Sequence, residues 1–251
     1  MKETFSTEEN LYRQFIKGYK LAFSNKLVHF VLIPLIINIS IFIGLSIFIY
    51  YKFSGYYNYF LTILPSWLSW LHYLLVPLFF LIILFIVSFF FSTIANWIAS
   101  PFNGILAEKA EAILENKSIQ PVSFQDIIKD IPRVASRELQ KLKYFFPRFI
   151  IILITFFIPG FGQTLSPIIL IIFNAWMMSI QYCDYSFDNH KINFKLMIKI
   201  LKKHKFKSFL FGIVISFLSV IPIINLIIMP VAICSATVIW VENLKDNEIL
   251  E

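Results

Sequence analysis

Hydrophobic positions in this chain fall in long unbroken runs. No Asp, Glu, Lys or Arg interrupts Leu27–Tyr51, Phe53–Ala107, Phe149–Tyr182 or Ser208–Val241. A helix needs about 20 consecutive apolar residues to cross a bilayer. Helices and closed barrels alone satisfy their own backbone there. The pattern predicts an all-α integral membrane protein forming a single membrane domain over residues 1–251. Ahead of the first run, residues 8–24 place Leu11, Phe15, Tyr19 and Ala22 at helical spacing, with Arg13, Lys17 and Lys20 elsewhere. That segment predicts an amphipathic N-terminal helix lying in the membrane interface.

Residues 26–51 supply a first full transmembrane helix, with Pro34 near its start, where a kink is tolerated. Residues 71–115 form a second long helix. Its full span runs from Leu71 to about Ser92, and the helix then leaves the membrane for the cytoplasm. A kink is expected at Ser100-Pro101, where proline deletes an internal hydrogen bond. Residues 116–146 carry Asp126, Lys129, Asp130, Arg133, Arg137, Glu138 and Lys141 at helical spacing and read as an exposed cytoplasmic helix.

Residues 147–182 and 206–241 follow a different rule. Their charge-free cores, Phe149–Tyr182 and Ser208–Val241, are each 34 residues long. Two crossings and a turn require roughly 40 or more. Each core is also broken near its middle, at Ile158-Pro159-Gly160-Phe161-Gly162 and at Ser219-Val220-Ile221-Pro222. Arms of about 15 residues, about 22 Å long, fall short of the ~30 Å hydrocarbon core. Both blocks therefore predict re-entrant hairpins, and such broken segments point to transport sites. In the first, Ser166 is expected as N-cap with Pro167 at the first helical position. In the second, Ser219 is the expected cap, with Asn225 nearby. A helix start at membrane depth favours an anion, and Gln163, Thr164 and Ser166 would add donors to a pore.

Composition agrees. Hydrophobic residues make up 58% and charged residues 15% of the chain, against about 25% charged in soluble domains. The net charge of +7 is concentrated in the leader, in Lys109–Arg148 and in Lys191–Lys207. Tyr51–Trp70 holds a single cation, Lys52. The positive-inside rule puts the three basic islands, and both termini, in the cytoplasm. Tyr51, Tyr56, Tyr57, Tyr59, Trp67, Trp70 and Tyr73 then form an outer aromatic belt. The polar leader before Leu27 does not have the form of a secretory signal. Cys183 and Cys234 are spaced for packing rather than for a disulfide framework or a metal.

The chemistry of the polar residues is that of binding, not catalysis. His29, His72, His190 and His204 lack metal-ligand spacing, and no zinc-protease, Walker A or nucleophile-elbow motif occurs. No cofactor, metal or covalent reaction is expected. Asp184, Asp188 and His190 read as a helix-ending loop at the interface. The lysines of Lys195–Lys207 suit anionic lipid better than nucleic acid. Arg133 and Arg137, four residues apart, share a helix face. Two guanidinium forks there either grip a tetrahedral oxyanion or pair with Glu108, Glu111 or Glu138.

Four segments carry a resemblance to a known family. They are Phe90-Phe91-Ser92-Thr93-Ile94-Ala95-Asn96-Trp97-Ile98-Ala99-Ser100-Pro101-Phe102-Asn103-Gly104, Ile158-Pro159-Gly160-Phe161-Gly162-Gln163-Thr164, Gln181-Tyr182-Cys183-Asp184-Tyr185-Ser186-Phe187-Asp188-Asn189-His190-Lys191, and Ile221-Pro222-Ile223-Ile224-Asn225-Leu226-Ile227-Ile228-Met229-Pro230-Val231-Ala232. The chain resembles the bacterial CysZ sulfate transporters from about Phe15 to Glu242. The resemblance implies sulfate uptake across the inner membrane for cysteine biosynthesis. It also implies two transmembrane helices, two hemi-penetrating hairpins and a homo-oligomer.

The family's sulfate-associated Gly-Leu-Arg or Gly-Ile-Arg-Arg stretch is matched here by Lys26-Leu27-Val28-His29, so both arginines are missing. Backbone N–H groups and the Lys26 ammonium would serve instead. Binding is expected to be weaker or more pH-dependent, because imidazoles ordinarily titrate near neutrality. Sulfite and other oxyanions are further candidate substrates. The competing reading is a non-transporting membrane scaffold whose hairpins interact only with lipid.

Overall fold

Every regular element among the described residues is helical, as expected of backbone that finds no water to bond. The computed structural model describes residues 2–63, 73, 77–78, 100–119, 121 and 123–245. Apart from residues 73, 77 and 78, the expected second span from Leu71 to Ser92 lies outside the described residues, as do Trp67 and Trp70 of the aromatic belt. The chain divides into two compact units, Met1–Val31 with Ser100–Glu251, and Leu32–Ala99.

In the first unit, α1 covers Lys2–Ala22, followed by a turn and the first residues of α2, Val28–Ile63. Helix α3 spans residues 100–114. It ends on Asn116 at φ 56°, with Lys117 N–H bonded to Ala112 O and Asn116 N–H to Ile113 O. That is a Schellman stop, and asparagine tolerates the left-handed angle it requires. Helix α4, Phe124–Thr155, starts at Ser123, whose side chain accepts from Gln125 N–H at 3.3 Å.

Helix α5, Phe161–Asn189, runs antiparallel to α4. Helix α6, Phe194–Lys203, α7, Lys205–Ser219, and α8, Pro222–Ile239, follow. A π-helical turn, Trp240–Leu244, extends α8. The core gathers on α8, where Val231–Ala232–Ile233–Cys234, Ala236 and Val238 are buried. Leu11, Leu21 and Ala22 of α1 and Ile180 and Phe187 of α5 belong to the same cluster.

Both helix breaks fall within or beside the expected Pro/Gly segments, at 156–160 and 220–221, but the caps differ from expectation. Helix α5 starts at Phe161, five residues before Ser166, on Gly160 at φ +79°. A glycine adopts that angle freely, so the helix begins as soon as the turn closes. Gln163 Oε1 accepts from Gly160 N–H at 3.0 Å, and Thr164 Oγ1 donates to Gly160 O at 2.8 Å. Ser166 is buried inside the helix, 2.7 Å from Thr155 Oγ1 across the hairpin. Ser219 does not cap α8 either; its hydroxyl donates back to Ile215 O at 2.8 Å. Pro222, which has no N–H to cap, opens α8 instead.

Among the described residues, two segments, Phe161–Asn189 and Ile227–Leu244, are long and apolar enough to cross a membrane. Arms in the first block are unequal, since the apolar end of α4 is short and α5 is 29 residues long. In the second unit the described element is the remainder of α2, whose 36 residues measure about 54 Å. It continues past the expected end at Tyr51. Ile36, Ile39, Ile43, Ile47 and Phe48 are all exposed along it, a surface suited to lipid rather than water.

Helix pairs approach closely at two glycines. A Cβ on Gly212 of α7 would stand 2.7 Å from the carbonyl carbon of Ala175 in α5. One on Gly18 of α1 would stand 2.6 Å from Ser235 Cα in α8. Because backbone, not a flexible side chain, blocks the space, Gly212→Val is expected to cost about 1–3 kcal/mol by overpacking. Thermal unfolding in detergent should show a clear drop for Gly212→Val. Gly44→Ala, where nothing lies within 4 Å, should show none.

Candidate functional site

Charge that is buried must be paired, and the middle of α4 meets that demand through α5. Arg137 Nε donates to Asp184 Oδ1 at 2.7 Å, and its Nη1 donates to Ile192 O at 3.0 Å. Its guanidinium also sits 5.3 Å from the centre of the Phe194 ring. Arg133 is bonded to the Asp188 carboxylate, to Asp188 O at 3.2 Å and to Asp130 at 3.0 Å. Lys141 Nζ lies 2.7 Å from Glu138 and 3.3 Å from Asp184 Oδ2. Burial pushes the Lys141 ammonium down, but Asp184, Tyr185 and Glu138 more than reverse this and hold it above the ordinary lysine range. It therefore stays charged.

Asp184 and Asp188 stand one helical turn apart, as do Arg133 and Arg137. Crosswise pairing, Arg133 with Asp188 and Arg137 with Asp184, is the register of antiparallel helices. The same register continues to Thr155 and Ser166 near the tip, since the paired residue numbers keep a constant sum. The helix-ending loop expected at Asp184, Asp188 and His190 starts later than the pattern suggests. Asp184 and Asp188 are instead helical, and Asp184 is buried. The matching i,i+4 spacings of acids and arginines were the available signal.

Between α3, α4 and α5 this network lines a cavity of about 200 Å³, room for several waters at about 10–15 Å³ each. Five carboxylates (Glu108, Asp130, Glu138, Asp184 and Asp188) and three cations (Lys109, Arg133 and Arg137) border it. Ser100 Oγ donates to Glu138 at 2.8 Å, and Asn103 Nδ2 donates to the Tyr185 hydroxyl at 3.1 Å. Arg137 is 8% exposed, whereas Arg133 is 35% exposed. An oxyanion reaching this cavity therefore meets Arg133, and it must take that guanidinium from a carboxylate.

The expected partners of the arginines are employed elsewhere. Glu138 holds Lys141, and Glu111 receives His190 Nε2 at 2.9 Å and Lys245 Nζ at 2.6 Å. Burial tends to raise the Glu111 carboxyl, but the hydrogen bonds from His190 and Lys245 outweigh it and hold the group below the usual glutamate range. Lys245 also reaches Glu115, whose carboxyl is lowered by Lys117 and Lys245. Together these contacts clasp the end of the described C-terminal segment onto α3.

Other sequence candidates lie apart. Leu27 is buried in the core, Val28 opens α2, and Lys26 and His29 are exposed on either side. Leu27 and Val28 N–H groups both bond Ser24 O at 2.9 Å. Gln163 and Thr164 are exposed at the hairpin tip, where they close the turn, and Ser166 is buried beneath them.

Two outcomes follow from these contacts. Arg137→Met leaves the buried Asp184 carboxylate with Lys141 alone, 3.3 Å away, and should cost about 3 kcal/mol, while Arg133→Gln, one-third exposed, should cost about 1 kcal/mol or less. Equal losses in detergent melting experiments would contradict this ranking. The lowered Glu111 carboxyl stabilises the fold above the unfolded glutamate value of about 4.3, and that contribution is lost as pH falls through the lower folded value. The melting gap between the native chain and Glu111→Gln should be open at pH 7 and narrow steadily below about pH 4. A constant gap would refute the clasp.

The sequence pattern of the family described as Sulfate transporter CysZ/Etoposide-induced protein 2.4 matches residues 14–230. A curated relative from Pectobacterium atrosepticum, the Sulfate transporter CysZ of that organism, is 44% identical over 232 residues. The match covers 92% of this chain and 84% of the relative. With its all-helical framework and apolar helices, this chain belongs to the Sulfate transporter CysZ/Etoposide-induced protein 2.4 family of membrane proteins.

Proposed function

We propose that this chain carries sulfate across the bacterial inner membrane by a channel- or permease-type path, without covalent chemistry, supplying sulfur for cysteine biosynthesis. The carrying observation is the near-complete match to a sulfate transporter at 44% identity. The site adds a physical candidate for anion contact in the partly exposed Arg133. Arg137 is a positioning residue, because its guanidinium is committed to Asp184, Ile192 O and the Met197 sulfur. The exposed Lys26 and His29 form the proposed cytoplasmic-side contact by their side chains, since the Leu27 and Val28 N–H groups are held by Ser24 O. Gln163, Thr164 and Ser166 belong to the proposed path at the first hairpin tip. Sulfite and other oxyanions share the chemistry these groups recognise.

The proposed topology is multi-pass, with two full transmembrane helices, two re-entrant hairpins, an interfacial α1, cytoplasmic termini and assembly as a homo-oligomer. Depth supports the hairpins. Trp176 Nε1 donates to the Tyr144 hydroxyl at 3.1 Å, and Arg148 stacks on Tyr144 at 3.6 Å, a grouping typical of the headgroup layer. Past Arg148, α4 has only residues 149–155 before the turn, about 10 Å of helix. On the return side, Phe173 faces Phe145 at 5.4 Å, and residues 161–173 span about 20 Å. In α7, residues 208–219 beyond Lys207 span about 18 Å. Each depth is less than the ~30 Å core.

A scaffold reading has one observation in its favour: Gln163 and Thr164 close the tip turn with their own hydrogen bonds. Radiolabelled sulfate uptake into liposomes, with and without a proton gradient, separates the readings. Uptake by the purified protein should fall at least tenfold in Arg133→Gln, and Gln163→Leu with Thr164→Val should reduce it. No uptake under either condition would defeat autonomous transport. Uptake untouched by the double tip variant would leave that hairpin a lipid-displacing wedge.

A further inference from the structure

From Asn189 to Val241 the chain contains seven lysines and no acidic residue. The buried and half-buried cations of α4, and Lys17 and Lys245, are paired: Lys17 with Glu242, Lys141 with Glu138 and Asp184, Lys245 with Glu111, and both Arg133 and Arg137 with aspartates. Among the described residues none of Lys195, Lys199, Lys202 and Lys205 takes part in an ion pair. The contrast is not a matter of crowding. Helix α6 buries Phe194, Met197, Ile198, Ile200 and Leu201 on one face, and it leaves Lys195, Lys199 and Lys202 exposed. Their i, i+4, i+7 spacing makes one stripe along the opposite face.

Two further features say what meets that stripe. Leu196 and Phe206, 47% and 50% exposed, stand beside the lysines, a costly arrangement for a face washed only by water. Immediately afterwards α7 carries the chain into a charge-free block beginning at Ser208. The stripe is thus placed where chain leaves the aqueous phase. Helix α1 touches the same junction, with Phe15 against Phe211 at 5.3 Å, and it exposes Tyr12, Ile16, Tyr19 and Phe23 along one face. A basic stripe with apolar and aromatic neighbours is the composition that lies in a headgroup layer.

We infer that the outer face of α6 is a docking surface for anionic phospholipid, with Lys195, Lys199 and Lys202 gripping the headgroup phosphates and Leu196 and Phe206 seated in the acyl boundary. This rests on the membrane topology proposed above but not on sulfate as the cargo. Each lysine near an anionic surface contributes about a fivefold gain in binding, so the three together give about a 100-fold preference. The attraction is screened by salt.

Detergent-purified protein titrated with phosphatidylglycerol or phosphatidylcholine, with melting temperature and lipid retention in native mass spectrometry as readouts, tests this. Phosphatidylglycerol should raise the melting temperature and remain bound, and phosphatidylcholine should not. High salt should abolish the difference in the unmodified chain. Lys195→Gln with Lys199→Gln and Lys202→Gln should weaken phosphatidylglycerol binding about 100-fold, and the three corresponding Lys→Arg changes should preserve it. Equal response to the two lipids, insensitivity to salt, or a matching shift with inorganic phosphate alone would overturn the inference. Because the salt test uses the native chain, a misfolded variant does not shield the proposal. Sulfate uptake without a lipid preference would refute only this surface, and a lipid preference without uptake would refute only sulfate transport.

Discussion

A guanidinium sealed in the interior cannot stand alone, and the Arg137–Asp184 pair is the contact on which the first unit's arrangement depends. Once it forms, α4 and α5 have one register, which then places Arg133 on Asp188 and Thr155 on Ser166. Arg137 also takes the carbonyl of Ile192. Ile192 lies in the Schellman turn that ends α5, where Lys191 adopts φ 56° and Ile192 N–H bonds Phe187 O. One side chain thus ties α4 to the end of α5 and to the start of α6. The buried pair is not chiefly a source of stability, since a well-packed apolar replacement often does as well. Its effect is to select one register among several that interchangeable apolar residues would permit.

That register also shapes the cavity at which we propose anion contact. The cavity beside the pair is bordered by more carboxylates than cations, so its field does not collect sulfate unaided. Arg133, with one side toward the cavity and the other on Asp188, is suited to exchange of partners. Arg137 is suited to none, because all three of its guanidinium nitrogens are engaged inside. A transporter must bind its cargo well enough to admit it and weakly enough to release it. A cation shared with a resident carboxylate meets both conditions.

Much of this was legible in the sequence where a single physical rule dominated. Charge-free runs foretold helices and a membrane because hydrocarbon leaves the backbone no alternative. Pro159-Gly160 and Pro222 marked the breaks because proline and glycine act through local backbone angles. Ser166 is not the cap its sequence suggests, because local capping preference competes with the register of the whole hairpin and Gly160 already closes the turn. The roles of Asp184 and Asp188 are not legible locally, because their partners lie about fifty positions away, beyond any local pattern. The Lys26–His29 stretch could be located, yet its sequence did not reveal that Leu27 faces the core while Lys26 and His29 remain exposed.

The central claim is that Arg137 and Asp184 act as a unit that sets the α4–α5 hairpin. A double-mutant cycle with Arg137→Met, Asp184→Leu and the combined variant, read by unfolding in detergent, measures it directly. Strongly non-additive losses are expected, with a coupling of about 2–3 kcal/mol and the double variant less damaged than the single changes together imply. Additive losses within about 0.5 kcal/mol would contradict it.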